Sequence, residues 1–562
     1  MIRYLASILR SWHRTVFGAV LCLFVVGIVS AMTPARKRVS KQPVDDRVYL
    51  IHSDVLKFDM YGSNPEAQIA KGHVAFRHKG ATLNCDSAYY YQASNSFRAF
   101  GHVRFRQGDT LSLNCDYAWY DGDGQMMEAR NNVVLHHRKQ TLYTDSLNYD
   151  RLYDNAYFFR GGRLVDGNSK LSSDWGEYNT QTKRAVFYYD VQLRTPDNHV
   201  STDTLYYDTG TSMAHVVGLY TPDKGNGEVG PSIVRNKNGT VTTTDAYFNT
   251  KSDYAQLYGR STVVDREKTI TGDTLVYDSK TGNNRGWGNV VYVDSKNKNK
   301  LTAGEVVYND QTGAGYATRN ALVMDYSQKD TLYMHSDTMR VETFNINTDS
   351  VYRKVHCYRK VRAYRTDFQA VCDSMVFNSL DSCMTMYEDP IAWSDGRQLT
   401  GEVIKVYTND STIRKADVLG QAMSIELMND STHYSQLSSK DIYAYFVDGN
   451  VRRTDAVSSV RAIFYPTDSG DSTLIGLNYV ETDTMRMYVS PERKLQRIWM
   501  PKAVGTLYPM TQIPPGKDKL NVFVWFDYIR PKDKDDVFNW RGKAEGTEIK
   551  KVKRHDAPLQ KL

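Results

Sequence analysis

Ser112-Leu113-Asn114-Cys115-Asp116-Tyr117-Ala118-Trp119-Tyr120 is a phrase that this 562-residue chain repeats. Its relatives centre on Asp86, Asp145, Asp174, Asp203, Asp245 and Asp273; with Asp116 included, successive intervals are 30, 29, 29, 29, 42 and 28 residues. A period near thirty with one interruption marks a repeat architecture, in which each unit buries its apolar face against its neighbours. An apolar slot lies three residues before each Asp (Leu83, Leu113, Leu142, Leu171, Val200, Ile270, Leu301). An aromatic slot lies four after it (Tyr90, Tyr120, Tyr149, Tyr178, Tyr207, Tyr277, Tyr308). Residues seven apart on one regular strand point to opposite faces. Both slots are apolar, so the alternation is expected to slip by one residue at the Asp, as at a corner or bulge. Asp suits a corner because its short side chain bonds nearby backbone amides. A calcium ladder would need clustered Asp and Gly spacing that is missing here.

A second phrase, Gly-x-Val-x-Phe, lies midway between these corners, at Gly72 to Phe76 and Gly101 to Phe105. The steps Asp86 to Gly101 and Gly101 to Asp116 are both fifteen residues, so each repeat holds two passes of equal length. Equal passes separated by polar turns read as antiparallel strands running up and back. Forty Tyr, with abundant Thr and Val, favour strands, and fifteen Pro are too few for a disordered or collagen-like chain. The fold class expected is all-β: an elongated, stacked antiparallel β-jelly-roll, or slotted solenoid, of repeats of about 29 residues.

The charge of +7, from 71 basic and 64 acidic residues interspersed along the chain, argues against a nucleic-acid partner. Arg3, Arg10 and Arg14 precede an uncharged apolar run from Val16 to Met32, and Val29-Ser30-Ala31 offers small residues for cleavage. Residues 1–31 therefore read as a signal peptide or an N-terminal anchor, and the chain as exported. Residues 46–220 form the regular repeats, 221–240 a surface loop insertion, 241–510 more divergent repeats, and 511–562 a C-terminal tail. Cys85 and Cys115 precede the repeat Asp and stack in adjacent repeats, either as a disulfide or as small buried residues like Thr144, Ser173, Thr202 and Thr244 in the same slot. No Cys or His spacing points to a metal, and no cofactor motif is present.

The stretch Gly101–Tyr120, the fragment Thr269–Tyr277 and the link Asn95–Val103 resemble the OstA-like repeats. These are the periplasmic modules of the lipopolysaccharide-transport bridge family (LptA) and of the N-terminal part of its outer-membrane partner (LptD). The resemblance is good over residues 65–310 and weaker to about 500. It implies a β-jelly-roll open along one side, whose apolar interior shields acyl chains while the sugar head stays in water. It implies a periplasmic protein, associated with inner or outer membrane, that serves outer-membrane assembly. Its partners would be lipopolysaccharide or another envelope lipid, the transport proteins at the two membranes, and further copies joined end to end. The chain is longer than a simple bridge module, and after residue 510 it lacks the strands of an outer-membrane barrel.

The lipid-facing candidates are the inward apolar slots Val74, Phe76, Leu83, Val103, Phe105, Leu113, Leu142, Leu171, Ile270 and Leu301. A structural or adhesive β-solenoid scaffold of the envelope, with these residues as ordinary core, is the alternative. An enzyme is not expected: the acid pairs Asp121/Asp123 and Asp535/Asp536 lie in polar, turn-like segments, and no catalytic constellation is legible.

Overall fold

In the computed structural model, residues 46–549 are described, apart from 110, 138–139, 180, 195, 197, 209, 212, 219–229, 237–238, 250–251, 253, 279, 395, 410–411, 469–472 and 493–494. The signal or anchor expected over residues 1–31, Cys22, and the basic run Lys550 to Arg554 lie outside the described residues. Apart from short 3-10 turns near the C-terminus, all regular structure described is β-strand, and every pairing is antiparallel. Two units are distinguished: residues up to 266 with 271–281, and residues 267–270 with 282 onward.

Within the first unit the long strands pair each with the next along the chain. Gln68–His78 pairs with Ala81–Tyr91, which pairs with Ser96–Gln107, then Leu111–Asp121, Met126–His137 and Gln140–Asp150. Where a rung is broken, its halves are separate strands, as in Gly162–Asp166 and Asn155–Phe158, both paired to Gln140–Asp150. The second unit repeats the plan from Asn283–Asp294 through Gly476–Val489 to Leu495–Trp499 and Val504–Pro509.

The expected slip is present in strand after strand. In Ala81–Tyr91 the residues Ala81, Leu83 and Cys85 are buried, Asp86 is exposed, and burial resumes out of phase at Ala88 and Tyr90. Leu83 and Tyr90 thus both face inward, and each strand contributes to two walls that meet at its corner. Corners come in two kinds. In one strand two successive residues take left-handed backbone: Gly72/His73, Gly101/His102, Asn131/Asn132, Tyr189/Asp190, Gly288/Asn289 and Arg319/Asn320. The Gly-x-Val-x-Phe phrase is this corner. The adjacent strand carries the Asp corner.

The acid does not serve as the sequence led one to expect. Its carboxylate accepts a hydrogen bond from the second left-handed residue of the neighbouring corner, not mainly from nearby amides. Asp54 meets His73 Nδ1 at 2.8 Å, Asp86 meets His102 Nδ1 at 2.7 Å, and Asp116 accepts from Asn132 Nδ2 at 2.7 Å. The local cap is instead the small donor just before the corner, which bonds the carbonyl two residues on: Thr144 to Ser146 (3.2 Å), Thr202 to Thr204 (3.3 Å), Ser336 to Thr338 (3.1 Å). By that test Thr243, which bonds the Asp245 carbonyl at 2.9 Å, fills the inward slot expected for Thr244. The corner residue is Thr244, which restores a spacing of 29 residues to Asp273. Ser232–Asn236 and Gly239–Thr243 are already strands of the ladder, so the interruption expected over 221–240 is shorter.

Part of the segment expected as a C-terminal tail from residue 511 is packed on the fold. Residues 513–541 run back along the outer face of one wall of the second unit. That face is apolar, with Val371, Ile391 and Trp393 packed on Phe526 and Ile529, and Met423, Ile425, Ile463 and Leu477 packed with Leu520. Buried glutamines on the same face act as surrogate backbone. Gln436 donates to Asp518 O (2.8 Å) and accepts from Leu520 N (2.9 Å); Gln398 does the same for Val524 O (2.8 Å) and Phe526 N (2.7 Å). Farther on, fully buried Arg362 donates to Asp536 at 3.4 Å, and Arg541 also pairs with that carboxylate. Burial pushes the Asp536 acid up, but the bonds from Arg541, Lys532 N and Asn539 outweigh it and hold the acid down at about 2.

Two outcomes test this description. Gly101 has φ +74°, and a Cβ there would lie 2.4 Å from Asp86 Oδ2. Gly101→Val should cost about 2 kcal/mol in urea unfolding. Gly101→Asn, matching Asn131, should cost less than half as much; equal losses would refute the left-handed corner. Because the folded acid of Asp536 lies below its unfolded value near ~3.9, its contribution is whole above about pH 4 and is lost as the pH falls toward 2. Amide exchange across 530–541 should therefore accelerate over that range, and Asp536→Ala should show fast exchange already at pH 7.

Candidate functional site

The interior is built from two pairs of rows. Nearest the corner, Val74, Cys85, Val103 and Cys115 line one wall; an alanine row, Ala70, Ala88, Ala99, Ala118 and Ala129, lines the other. All nine are buried. Farther out, Phe76, Leu83, Phe105, Leu113, Leu135 and Leu142 stand opposite one another across successive strand pairs, and the ladder continues through Leu164, Leu171, Leu193 and Val200. The facing row is aromatic: Tyr90, Phe97 and Tyr120, with Met127 next. Phe76 stacks on Phe97 across the interior at 4.2 Å, nearly parallel.

Of the ten residues singled out from sequence, Phe76, Leu83, Phe105, Leu113, Leu142 and Leu171 lie on this single ladder, and Val74 and Val103 lie beside it. All are buried except Leu142, which is partly exposed. Ile270 and Leu301 are buried on later rungs. Sequence reasoning missed Leu135, Leu164 and Leu193. Leu135 and Leu193 sit three residues past the second residue of a left-handed corner, as Phe105 does after His102, so that offset would have found them.

Around Phe76 and Phe97 little space is left. A cavity of about 20 Å³ among Phe76, Leu83, Phe97, Phe105, Tyr120 and Met127 is no larger than one water needs. A roomier cleft, about 570 Å³, lies along the outer corners among Asn132, Asp145, Arg160, Arg163, Asp174 and Asp190, with Val133, Val134 and Tyr143 adding an apolar share to its lining. Cys85 and Cys115 are both free and buried. Each repeat holds two strands, so Val103 stands between the two cysteines, across from Cys115, and adjacent repeats do not put them in contact. Burial pushes both thiols up to about 12.

The walls are joined by backbone at the corner, whereas at the opposite side their ends meet through side chains. Arg151 donates to Tyr120 Oη (2.9 Å), and Tyr120 Oη lies 2.6 Å from His78 Nδ1. His78 Nε2 lies 3.1 Å from the carbonyl of Asp46. Burial holds His78 below its usual range, so the neutral ring accepts at Nδ1 and donates at Nε2. The acid pairs are spent structurally: Asp121 accepts from Asp123 N, Asp123 accepts from Asn95, Asp535 pairs with Lys534, and Asp536 holds the return segment. No group of side chains that could hold a metal occurs among the described residues, and no described helix is long and apolar enough to cross a membrane.

Fold and interior define a stacked antiparallel β-protein with a two-walled apolar core closed by backbone on one side only. Residues 45–203 match the model of the family of OstA-like proteins. The rungs after 203 continue the same register outside the match. A crystal structure of LptH, described as the LptA homologous periplasmic component of the conserved lipopolysaccharide transport device from Pseudomonas aeruginosa, is 14% identical. It aligns with 28% of this chain and 94% of its own, with a TM-score of 0.15, too low to bear on this chain's fold. No curated protein matches the sequence.

Thiol reagents at pH 8 should leave Cys85, Cys115, Cys357, Cys372 and Cys383 unmodified in the native protein and label all five in denaturant without prior reduction. A requirement for reductant would reveal a disulfide.

Proposed function

We propose that the interior holds the acyl chains of lipopolysaccharide, or of another envelope lipid, while the head stays in water, and that the protein serves as a periplasmic bridge in outer-membrane assembly. The observation that carries this reading is the asymmetry of the two sides. The ladder from Phe76 to Val200 is apolar on every rung, yet the mouth opposite the corners is held by side-chain contacts such as His78–Tyr120. A chain can enter sideways without breaking a backbone ladder. Each CH₂ withdrawn from water gains about 0.8 kcal/mol, so a chain of fourteen carbons gains roughly 10 kcal/mol against the cost of parting the walls. The OstA-like match over residues 45–203 supports this reading.

The terminal rungs fit the expected partners. Tyr49–His52 and Val55–Phe58 pair only with Gln68–His78 among the described residues, and Ile51, Leu56 and Phe58 are more than half exposed. Leu495–Trp499 and Val504–Pro509 pair only with Gly476–Val489 there, leaving Leu495, Val504 and Leu507 exposed. Unpaired apolar edges invite another strand, in a transport protein at either membrane or in a second copy.

The tight filling around Phe76 and Phe97 favours the second reading, a scaffold whose interior is only core. Photo-crosslinkers at Leu113 and Phe105, with outward Asn114 and Arg104 as controls, separate the two in cells. Lipid adducts at the inward pair alone are expected; none at either inward position would leave the scaffold.

A further inference from the structure

The first described residues do not begin as a strand. Asp46 to Val48 lie over the mouth of the first rungs, before the ladder starts at Tyr49. Three of their backbone groups are held by side chains from both lips. Val48 N donates to Asn95 Oδ1 (2.8 Å), and Tyr90 Oη donates to Val48 O (2.8 Å). Asp46 O accepts from Asn95 Nδ2 (3.1 Å) and from His78 Nε2 (3.1 Å). The Asp46 carboxylate meets Lys79 Nζ at 2.5 Å. Lys79 stands in the two-residue turn Lys79–Gly80, whose positive φ values suit a tight hairpin. Val48 is buried, with Cγ2 seated where a Cβ on Gly122 would come within 2.8 Å. Gly122 therefore leaves a cradle that a side chain would fill.

This short segment presents oxygen acceptors at Asp46, the carboxylate to the Lys79 cation and the backbone carbonyl to two N–H donors, and an aliphatic side chain to a cradle between the lips. An anionic amphiphile presents the same pair of groups. Lys79 donates to the charged oxygen of the occupant and His78 and Asn95 Nδ2 to the neutral oxygen beside it, while Asn95 Oδ1 accepts from Val48 N; the single cation among these donors suits an oxygen head of negative charge, carboxylate or phosphate. Directly inside them lie Phe76, Leu83 and Phe97, the lining of the small cavity. Because these contacts come from side chains, releasing them breaks no ladder bond, and the strand from Tyr49 onward stays paired. We propose that Lys79, His78 and Asn95 form a headgroup site for an anionic amphiphile, and that residues 46–48 occupy it as a built-in surrogate that shuts the mouth. The proposal rests on the lipid-holding reading and adds to it an entry point and its control.

The test uses the full chain and cis-parinarate, a fluorescent carboxylate amphiphile, beside its neutral methyl ester, with a short-chain phosphatidate as competitor. Asp46→Ala combined with Val48→Ser releases the segment. Parinarate should then bind about tenfold tighter than to wild type, and the ester should gain less than threefold. Adding Lys79→Ala should abolish the gain and Lys79→Arg should keep it, with unfolding midpoints confirming intact folds. Displacement by phosphatidate would place phosphate among the accepted heads; failure to displace would restrict the site to carboxylates. Equal parinarate affinity with and without release would overturn the surrogate. An equal gain for the ester would overturn the headgroup site. If neither wild type nor released protein bound either probe, the lipid-holding reading itself would fall.

Discussion

A pleated strand alternates its side chains strictly, and this protein needs each strand to bury residues on the same side before and after a bend. The two-residue corner satisfies that demand. It takes up one step of the alternation, so Leu83 and Tyr90 both reach the interior. The neighbouring strand must bend at the same level or the ladder breaks, which is why a left-handed pair such as Gly101/His102 stands beside Asp86. A slip of one residue at any corner would turn a whole row of Leu, Val and Ala to water. The carboxylate between corners pins that register from outside, where it costs little desolvation.

From the corner follows the unequal character of the two sides. Along the described rungs backbone crosses from wall to wall at the bend, and the far side depends on whatever side chains meet there. In the first unit these are His78, Tyr120 and Arg151, joined in one directional relay. The outer faces differ as well. In the first unit the outward residues Thr82, Asn84 and Asn114 are polar and exposed. In the second, Ile391, Trp393 and Ile425 point outward, and the chain supplies its own cover with 513–541.

Much of this was legible in the sequence because the corner leaves a double signature: two apolar slots at an odd separation, and a Gly phrase fifteen residues away. The strand class, the two passes per repeat and the inward direction of Leu83, Leu113 and Leu171 all follow from it. The misplacement at Asp245 came from tracking the acid, whereas the hydroxyl before the corner is the local cap. The alanine row was visible as a preference for Ala after Asp, but smallness alone does not announce an interior wall. The return segment was not legible: its anchors are isolated side chains, Leu520, Phe526 and Ile529, with no period, and its partners Gln398 and Gln436 look like surface residues until something covers them. The cluster at the mouth was hidden for a similar reason, since Lys79, Asn95 and Tyr120 belong to different turns and strands.

The return segment also sets an order of events during synthesis. Rungs can add one after another as the chain emerges, each on the last. Yet the wall carrying Trp393 and Gln398 has been made more than a hundred residues before Val524 and Phe526 exist to cover it. Until then it offers bare hydrocarbon and unanswered amides to whatever is nearby. A nascent chain of this protein therefore passes through a stage in which this wall is adhesive, and it stays so until 513–541 have been made to cover it.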